Sequence, residues 1–510
     1  MALGIGLCLL ATGRLAAAAP AAAIGKDADA AYRAGLGLVY DGSFAAAEAR
    51  LAELASEQPA DPVAPYLQAL ALEWRLEQRP DQRALDPAVL ALADRALALA
   101  AAALARDPAD ARALLARGAA HGVKSRLFLF RWERRSATRE ALDMREALTQ
   151  ARARGVRSPD LDFGLGLYDY YADTLPRFFR LFAFLLGIPG GDRQRGLEQV
   201  ARAAHGGSLF HDDEARAQMY DIESYFEHRP DRALPWIREL RGRYPGWPLW
   251  GLKLAGALSE LGLFAESAAV AEAIEDTAAR ARHPNYGPLA AAMAAALRAE
   301  ALLLDLRPGE ARAEARRALG AADTPAWVRG RALLVEGKSL ELEGQAAPAR
   351  EAYAAAEATG DPPCARAARE ALAAPRPAAA ASAMGLLARA RRAAENGDPA
   401  AARRLCLEAH AAFPRGDEGR LCAAQEDLAA GRAARAEDLA RALVADAAPW
   451  LRPEARLVLA AALERRGRAA EAVTEYGRVW EEPYGRADRR TRAADALRRL
   501  GRPVTLPTDR

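Results

Sequence analysis

At 510 residues, with 71 Lys and Arg against 68 Asp and Glu and a net charge of +3, the chain is nearly neutral and far longer than one compact core allows. The charge is spread without a block, which leaves no electrostatic footprint for nucleic acid. Lysine occurs only at Lys26, Lys124, Lys253 and Lys338, so arginine carries nearly all the positive charge.

The chain opens with "MALGIGLCLLATGRLAAAAPAAAIG", an apolar run followed by small residues ending in Ala21, Ala22 and Ala23. This is the pattern of a signal peptide with its cleavage site. Residues 1–23 are therefore expected to export the protein to the periplasm or cell envelope, although no basic residue precedes the run and Arg14 interrupts it. Cys8 is no lipidation site, because Leu7 stands where a small residue is needed. No later stretch approaches the roughly 20 apolar residues of a spanning helix, so contact with a membrane, if any, is peripheral.

From residue 24 onward Gly and Pro punctuate helical periods, and strand-like alternation is nearly absent; the fold is all α. Between residues 31 and 59 Gly35 lies in a first helix, Gly42 in a turn, and Phe44 and Ala47 open a second helix. Leu51 and Leu54 form its apolar face, and Pro59 ends it. The same grammar returns at Tyr220, Ala233, Ile237, Leu240 and Pro245, at Gly262, Phe264 and Ile274, and at Gly337, Gly344, Ala349 and Tyr353. It returns again at Gly397, Ala402, Ala409 and Pro414, at Gly431, Ala436 and Leu443, and at Ala460, Leu463, Gly467, Ala472 and Tyr476.

This pattern resembles the tetratricopeptide repeat, a 34-residue helix-turn-helix unit. The resemblance implies a helical-hairpin solenoid, wound as a right-handed superhelix in which each unit packs on its neighbours. Repeats are expected over 24–160, 208–372 and 384–503. Residues 373–383, with two prolines and no bulky side chain, read as a linker between two arrays; an alanine-rich helix end with a short loop is the alternative.

Residues 161–207 depart from the repeat. Between Pro176 and Pro189 there is room for about three helical turns, too short to cross a bilayer. Phe178, Phe179, Leu181, Phe182, Leu185 and Leu186 cover most of that helix, with Arg177 and Arg180 on one side, so Phe179 and Phe182 are expected in the core. Asp192 is placed to cap a following helix through Leu197, Val200 and Ala204. With Gly164, Gly166, Leu175, Pro176, Gly191, Asp192, Arg193 and Gly196, the segment is similar to a family of bacterial tetratricopeptide proteins and, more distantly, to the tetratricopeptide repeat protein 39 family. That resemblance implies a scaffold with no reaction attached.

No catalytic, metal or cofactor signature emerges. "GRALLVEGKS" at 330–339 has the wrong glycine spacing for a phosphate-binding loop. His205, His211, Asp212, Asp213 and Glu214 lack metal-ligand spacing and read as a polar loop and helix cap. Cys364, Cys406 and Cys422 read as small buried thiols, with a Cys406–Cys422 bridge as the alternative.

The chain is thus expected to be a non-catalytic scaffold for a protein or peptide partner, with no nucleic acid involved. A small-molecule binder or enzyme with a site in 163–207, or a membrane-surface protein, are the rival readings. In tetratricopeptide arrays the first helix of each pair lines the concave groove. Counting from the turn glycines puts Tyr32, Leu36 and Tyr40 there in the first repeat, Tyr66, Leu70 and Trp74 in the second, and Tyr225 and Phe226 in a central one. Packing between helices is the competing role for these rings. The lysine and asparagine set that clamps a terminal carboxylate is missing, which favours an apolar peptide.

Overall fold

The computed structural model describes residues 26–77, 83–174, 189–227, 229–261, 263–280, 285–322, 324–373, 378–414, 416–447, 452–481 and 487–502. Among them all regular structure is helical. The helices pair in order: α1 (Lys26–Tyr40) with α2 (Phe44–Glu57), α3 (Val63–Leu76) with α4 (Asp86–Arg106), α5 (Ala111–Phe130) with α6 (Arg134–Ala153), and α7 (Pro159–Thr174) with α8 (Arg193–Ala204). Next come α9 (Asp212–Asp221), which runs into a π-helical turn (Ile222–Phe226), with α10 (Pro230–Arg243); α11 (Pro248–Glu260) with α12 (Phe264–Ala279); and α13 (Pro288–Leu304) with α14 (Pro308–Leu319). After α15 (Ala326–Leu342), α16 (Ala346–Ala358) and α17 (Pro362–Ala373) follow α18 (Ala378–Glu395), α19 (Pro399–Ala412), α20 (Asp417–Ala429), α21 (Ala433–Asp446), α22 (Arg452–Arg465), α23 (Ala469–Trp480) and α24 (Ala487–Arg499). Successive helices pack on one another along the chain, the contact pattern of a helical-repeat solenoid.

One turn is reused throughout. Gly42, Gly344, Gly397, Gly431 and Gly467 all have φ between 75° and 78°. In each case the next residue's N–H reaches back to the helix: Ser43 to the Leu38 carbonyl, Gln345 to Leu340, Asp398 to Ala393, Arg432 to Asp427 and Arg468 to Leu463. This is the Schellman end of a first helix, which satisfies its last carbonyls and reverses the chain. Trp132 and Leu306 occupy the same place with φ of 61° and 58°. A Cβ built at Gly467 meets nothing within 4 Å, so Gly467→Ala tests conformation alone. It is expected to lower stability by about 1 kcal/mol in thermal unfolding; an unchanged melting temperature would count against the shared turn.

The core is made of alanine and leucine between helices, and its largest cluster does not follow the linear stack. It joins α1 to α5 with α9 to α11. The α1–α2 turn docks on the α10–α11 turn: the Trp250 indole N–H donates to the Tyr40 carbonyl at 2.7 Å, the Gly246 N–H donates to Asp41 Oδ1 at 2.7 Å, and Asn285 Nδ2 donates to the Asp41 and Gly246 carbonyls. The Phe44 and Trp247 rings meet edge to face. The first hairpin therefore closes back onto the fifth and sixth. Near the other end Arg490 of α24 reaches Asp231 of α10 at 2.6 Å.

Two sequence expectations need correction. Cys406 on α19 and Cys422 on α20 form a disulfide, with Cα atoms 5.8 Å apart; adjacent antiparallel helices bring them into bridging range, and only Cys364 is a free, buried thiol among the described residues. Helix α4 is long and apolar enough to cross a membrane by length and composition, contrary to the reading that nothing beyond residue 23 approaches this. Its repeated alanines and leucines supply that apolar character. In the fold Val89, Ala93, Ala96, Ala100 and Ala103 form its packed side.

Of the segment expected to link two arrays, the residues from Ala378 onward are helical and α18 packs on α15. Residues 1–23, and Phe179 and Phe182 with the rest of 175–188, lie outside the described residues.

The glycines of the 161–207 segment have a geometric role. A Cβ on Gly166 would come 2.9 Å from the Gly196 carbonyl oxygen, and one on Gly196 would come 2.5 Å from the Tyr170 nitrogen. Helices α7 and α8 thus cross backbone to backbone, which only glycine permits. As the sequence implies, the Asp192 carboxylate caps α8 by accepting from the Arg195 N–H at 3.0 Å.

Candidate binding cavity

A partly open cavity of about 1140 Å³ lies among the helices between residues 66 and 331. Its wall comes from α3, α5, α6, α7, α9 with its π turn, α11, α13 and α15. Apart from α6, each is the first helix of its pair. The wall is mainly apolar, and three large side chains that face it are open rather than packed: Leu129 is 58% exposed, Tyr225 53% and Phe226 47%. The π turn, with its wider backbone, presents the last two. Phe226 stands edge-on to Tyr171 at 5.2 Å, and Tyr225 to Tyr220 at 6.1 Å.

Charged groups are set into this apolar wall in two clusters. In the first, Arg126 of α5 donates to Glu73 of α3 and to Glu214 of α9. Glu214 also accepts from the Trp74 indole at 2.6 Å and from the Tyr40 hydroxyl at 3.1 Å. Burial pushes the Glu73 carboxyl up to about 7 against the pull of Arg126, and Glu214 adds to the rise. Its Oε2 is buried with no hydrogen-bond partner. In the second cluster Lys253 of α11 donates to Asp221 at 2.6 Å and lies over the Tyr220 ring. Burial works against the ammonium charge, yet Asp221 and Glu77 hold its pKa above the usual lysine range. Burial likewise raises Glu77.

A third group braces the wall. Asp160 at the start of α7 accepts the N–H groups of Leu209 at 2.7 Å and Phe210 at 3.0 Å and pairs with His211 Nδ1 at 2.7 Å. Although burial opposes ionisation, His211 and these donors hold the Asp160 carboxyl down at about 2. His211 Nε2 meets the Tyr66 hydroxyl at 2.6 Å. Elsewhere His121, Glu140 and Asp143 lie close enough to share an ion, but the Lys124 ammonium already sits 2.9 Å from Glu140.

The residues singled out in the sequence fall in three places. Tyr32, Leu36, Tyr40 and Trp74 are buried in the core, at most 3% exposed; the Tyr32 hydroxyl donates to Asp61 at 3.0 Å, and Trp74 is boxed by Tyr40, Trp247 and Trp250. Tyr66 and Leu70 are buried but touch the cavity, and Tyr225 and Phe226 face it openly. His211 and Glu214, noted in the sequence as a polar loop and cap, turn inward to different partners. Glu73, Arg126 and Lys253 join the site unannounced by any motif. For Lys253 the signal was a lone charge inside the apolar helical run "WGLKLAG"; for Glu73 it was an acid in the mostly apolar "LALEWRL", near Arg75.

Helical hairpins with a shared turn and stacked core make this a tetratricopeptide-like repeat protein. Among solved structures it is similar to the TPR domain of P58(IPK), at 14% identity over 87% of this chain and 99% of that one with a TM-score of 0.20. It is also similar to a chain of the APC/C hetero-tetramer Cut9-Hcn1, at 13% identity over 92% and 96% with a TM-score of 0.27. At those scores neither curvature nor partner transfers, and the repeat class rests on the hairpins themselves. No family model and no curated protein matches the chain.

Proposed function

We propose that the protein is a non-catalytic scaffold that holds an apolar peptide segment of a partner protein in this cavity. The observation that carries this reading is the set of open large side chains, Leu129, Tyr225 and Phe226, that line the same cavity. Uncovered apolar surface of this kind marks a binding site. The leader-like residues 1–23 support a place in the cell envelope, and the glycine pattern of α7 and α8 supports kinship with exported bacterial repeat proteins and, more remotely, with the tetratricopeptide repeat protein 39 family.

A small apolar molecule is the second reading, favoured because Phe163, Leu167 and Tyr171 of the 163–207 segment also line the cavity. The test is a fluorescent peptide rich in Leu and Phe, titrated against the protein and the double variant Tyr225→Ser with Phe226→Ser. Affinity should fall by about tenfold or more while the melting temperature holds, because exposed aromatic anchors carry binding and not packing. No binding to the unaltered protein would defeat the peptide reading.

A further inference from the structure

Among the described residues, every cation at the cavity wall is already matched or outnumbered. Arg126 lies between Glu73 and Glu214. Lys253 pairs with Asp221, with Glu77 close enough to raise its pKa further. Arg331 makes a two-pronged pair with Glu300 at 2.7 and 2.6 Å. Two of these three sites hold two carboxyl groups for one cation, so among the described residues acidic side chains outnumber basic ones at the cavity wall. Among the described wall residues one buried polar side-chain atom lacks a hydrogen-bond partner: Oε2 of Glu73, on a side chain 1% exposed. A buried carboxylate oxygen without a donor costs free energy until a donor arrives.

We propose that the apolar segment bound in the cavity carries one lysine or arginine, and that its cationic head group is received by Glu73 with Glu77 one helical turn away. This deepens the peptide reading above and rests on it. The chemistry selects the sign of the ligand: an anionic residue would face the more numerous carboxyl groups with no unpaired cation among the described residues to meet it, whereas a cation completes Glu73. The open aromatic rings of Tyr225 and Phe226 would cover the apolar stem of such a side chain.

The experiment uses the full chain and three Leu- and Phe-rich peptides that differ at one central position, carrying lysine, norleucine or glutamate. The lysine peptide is expected to bind about tenfold or more tightly than the norleucine peptide, with the glutamate peptide weakest, a range set by a charge-assisted hydrogen bond. In Glu73→Gln, and separately in Glu77→Gln, the preference for lysine should shrink while norleucine binding stays as it was, which also shows that the variants are folded. Equal binding of lysine and norleucine peptides overturns the charge reading and leaves the peptide reading standing; no binding of any peptide defeats both. A photoreactive group at position 225 that captures residues 175–188 of the same chain instead of the peptide would also overturn the proposal.

Discussion

Replacing Arg126 by alanine is expected to lower stability by about 3–5 kcal/mol, because two buried carboxylates lose their common partner. Glu73 is 1% exposed and Glu214 3% by side chain, so water replaces the guanidinium poorly. The loss should depend on pH, and its sign follows from Glu73. A carboxyl whose folded pKa is raised from 4.5 to about 7 binds its proton more tightly when folded than unfolded. Stability attached to it is therefore present at low pH and drains away as pH rises from about 4.5 through 7. Without Arg126 the charged form is costlier still. Thermal unfolding of Arg126→Ala against the unaltered protein should thus show a smaller difference at pH 5 than at pH 8. An equal difference at both values would mean that Glu73 does not carry the charge through this range.

Trp74→Ser is expected to cost a similar amount, about 3–5 kcal/mol, as a large buried ring is lost. Trp74 is 2% exposed, with ring centroids of Tyr40, Trp250 and Trp247 at 5.7, 5.6 and 5.8 Å. Its indole N–H donates to Glu214 and Arg126 lies over its face. The variant should melt at lower temperature and be cut faster by protease at the α1–α2 turn, since the aromatic cluster is what holds that turn against α10 and α11. A variant that keeps its melting temperature but loses peptide binding would instead return Trp74 to the ligand.

The hairpins were legible because their cues are local. A turn glycine such as Gly431 or Gly467 must take a left-handed backbone, and the alanine, leucine and tyrosine positions around it follow from helical period alone. Gly166 and Gly196 were noticeable as a pattern, yet their reason, two backbones in contact, needed the crossing to be seen. The closure was not legible, because nothing near Tyr40 in sequence announces Trp250. That is also why Tyr40 and Trp74 looked like groove residues: their period places them on the inner side of their helices, and only the return of α10 and α11 covers them. The cavity charges were hidden for the same reason, since Glu73, Arg126 and Glu214 come from three separate hairpins and acquire meaning only together.

The contact between Trp250 and Tyr40 spans 210 residues of chain, and that distance is also a delay. At a synthesis rate of about 5–20 residues per second, roughly 10–40 s pass between the appearance of Tyr40 and that of the tryptophan that covers it. Through that interval Tyr40, Trp74 and Arg126 wait with an unfinished aromatic and ionic surface. Newly made N-terminal hairpins therefore need either a holding chaperone or synthesis past α11 before they settle. A ribosome-stalled chain ending before residue 212 should bind a hydrophobic dye that one ending after residue 285 does not.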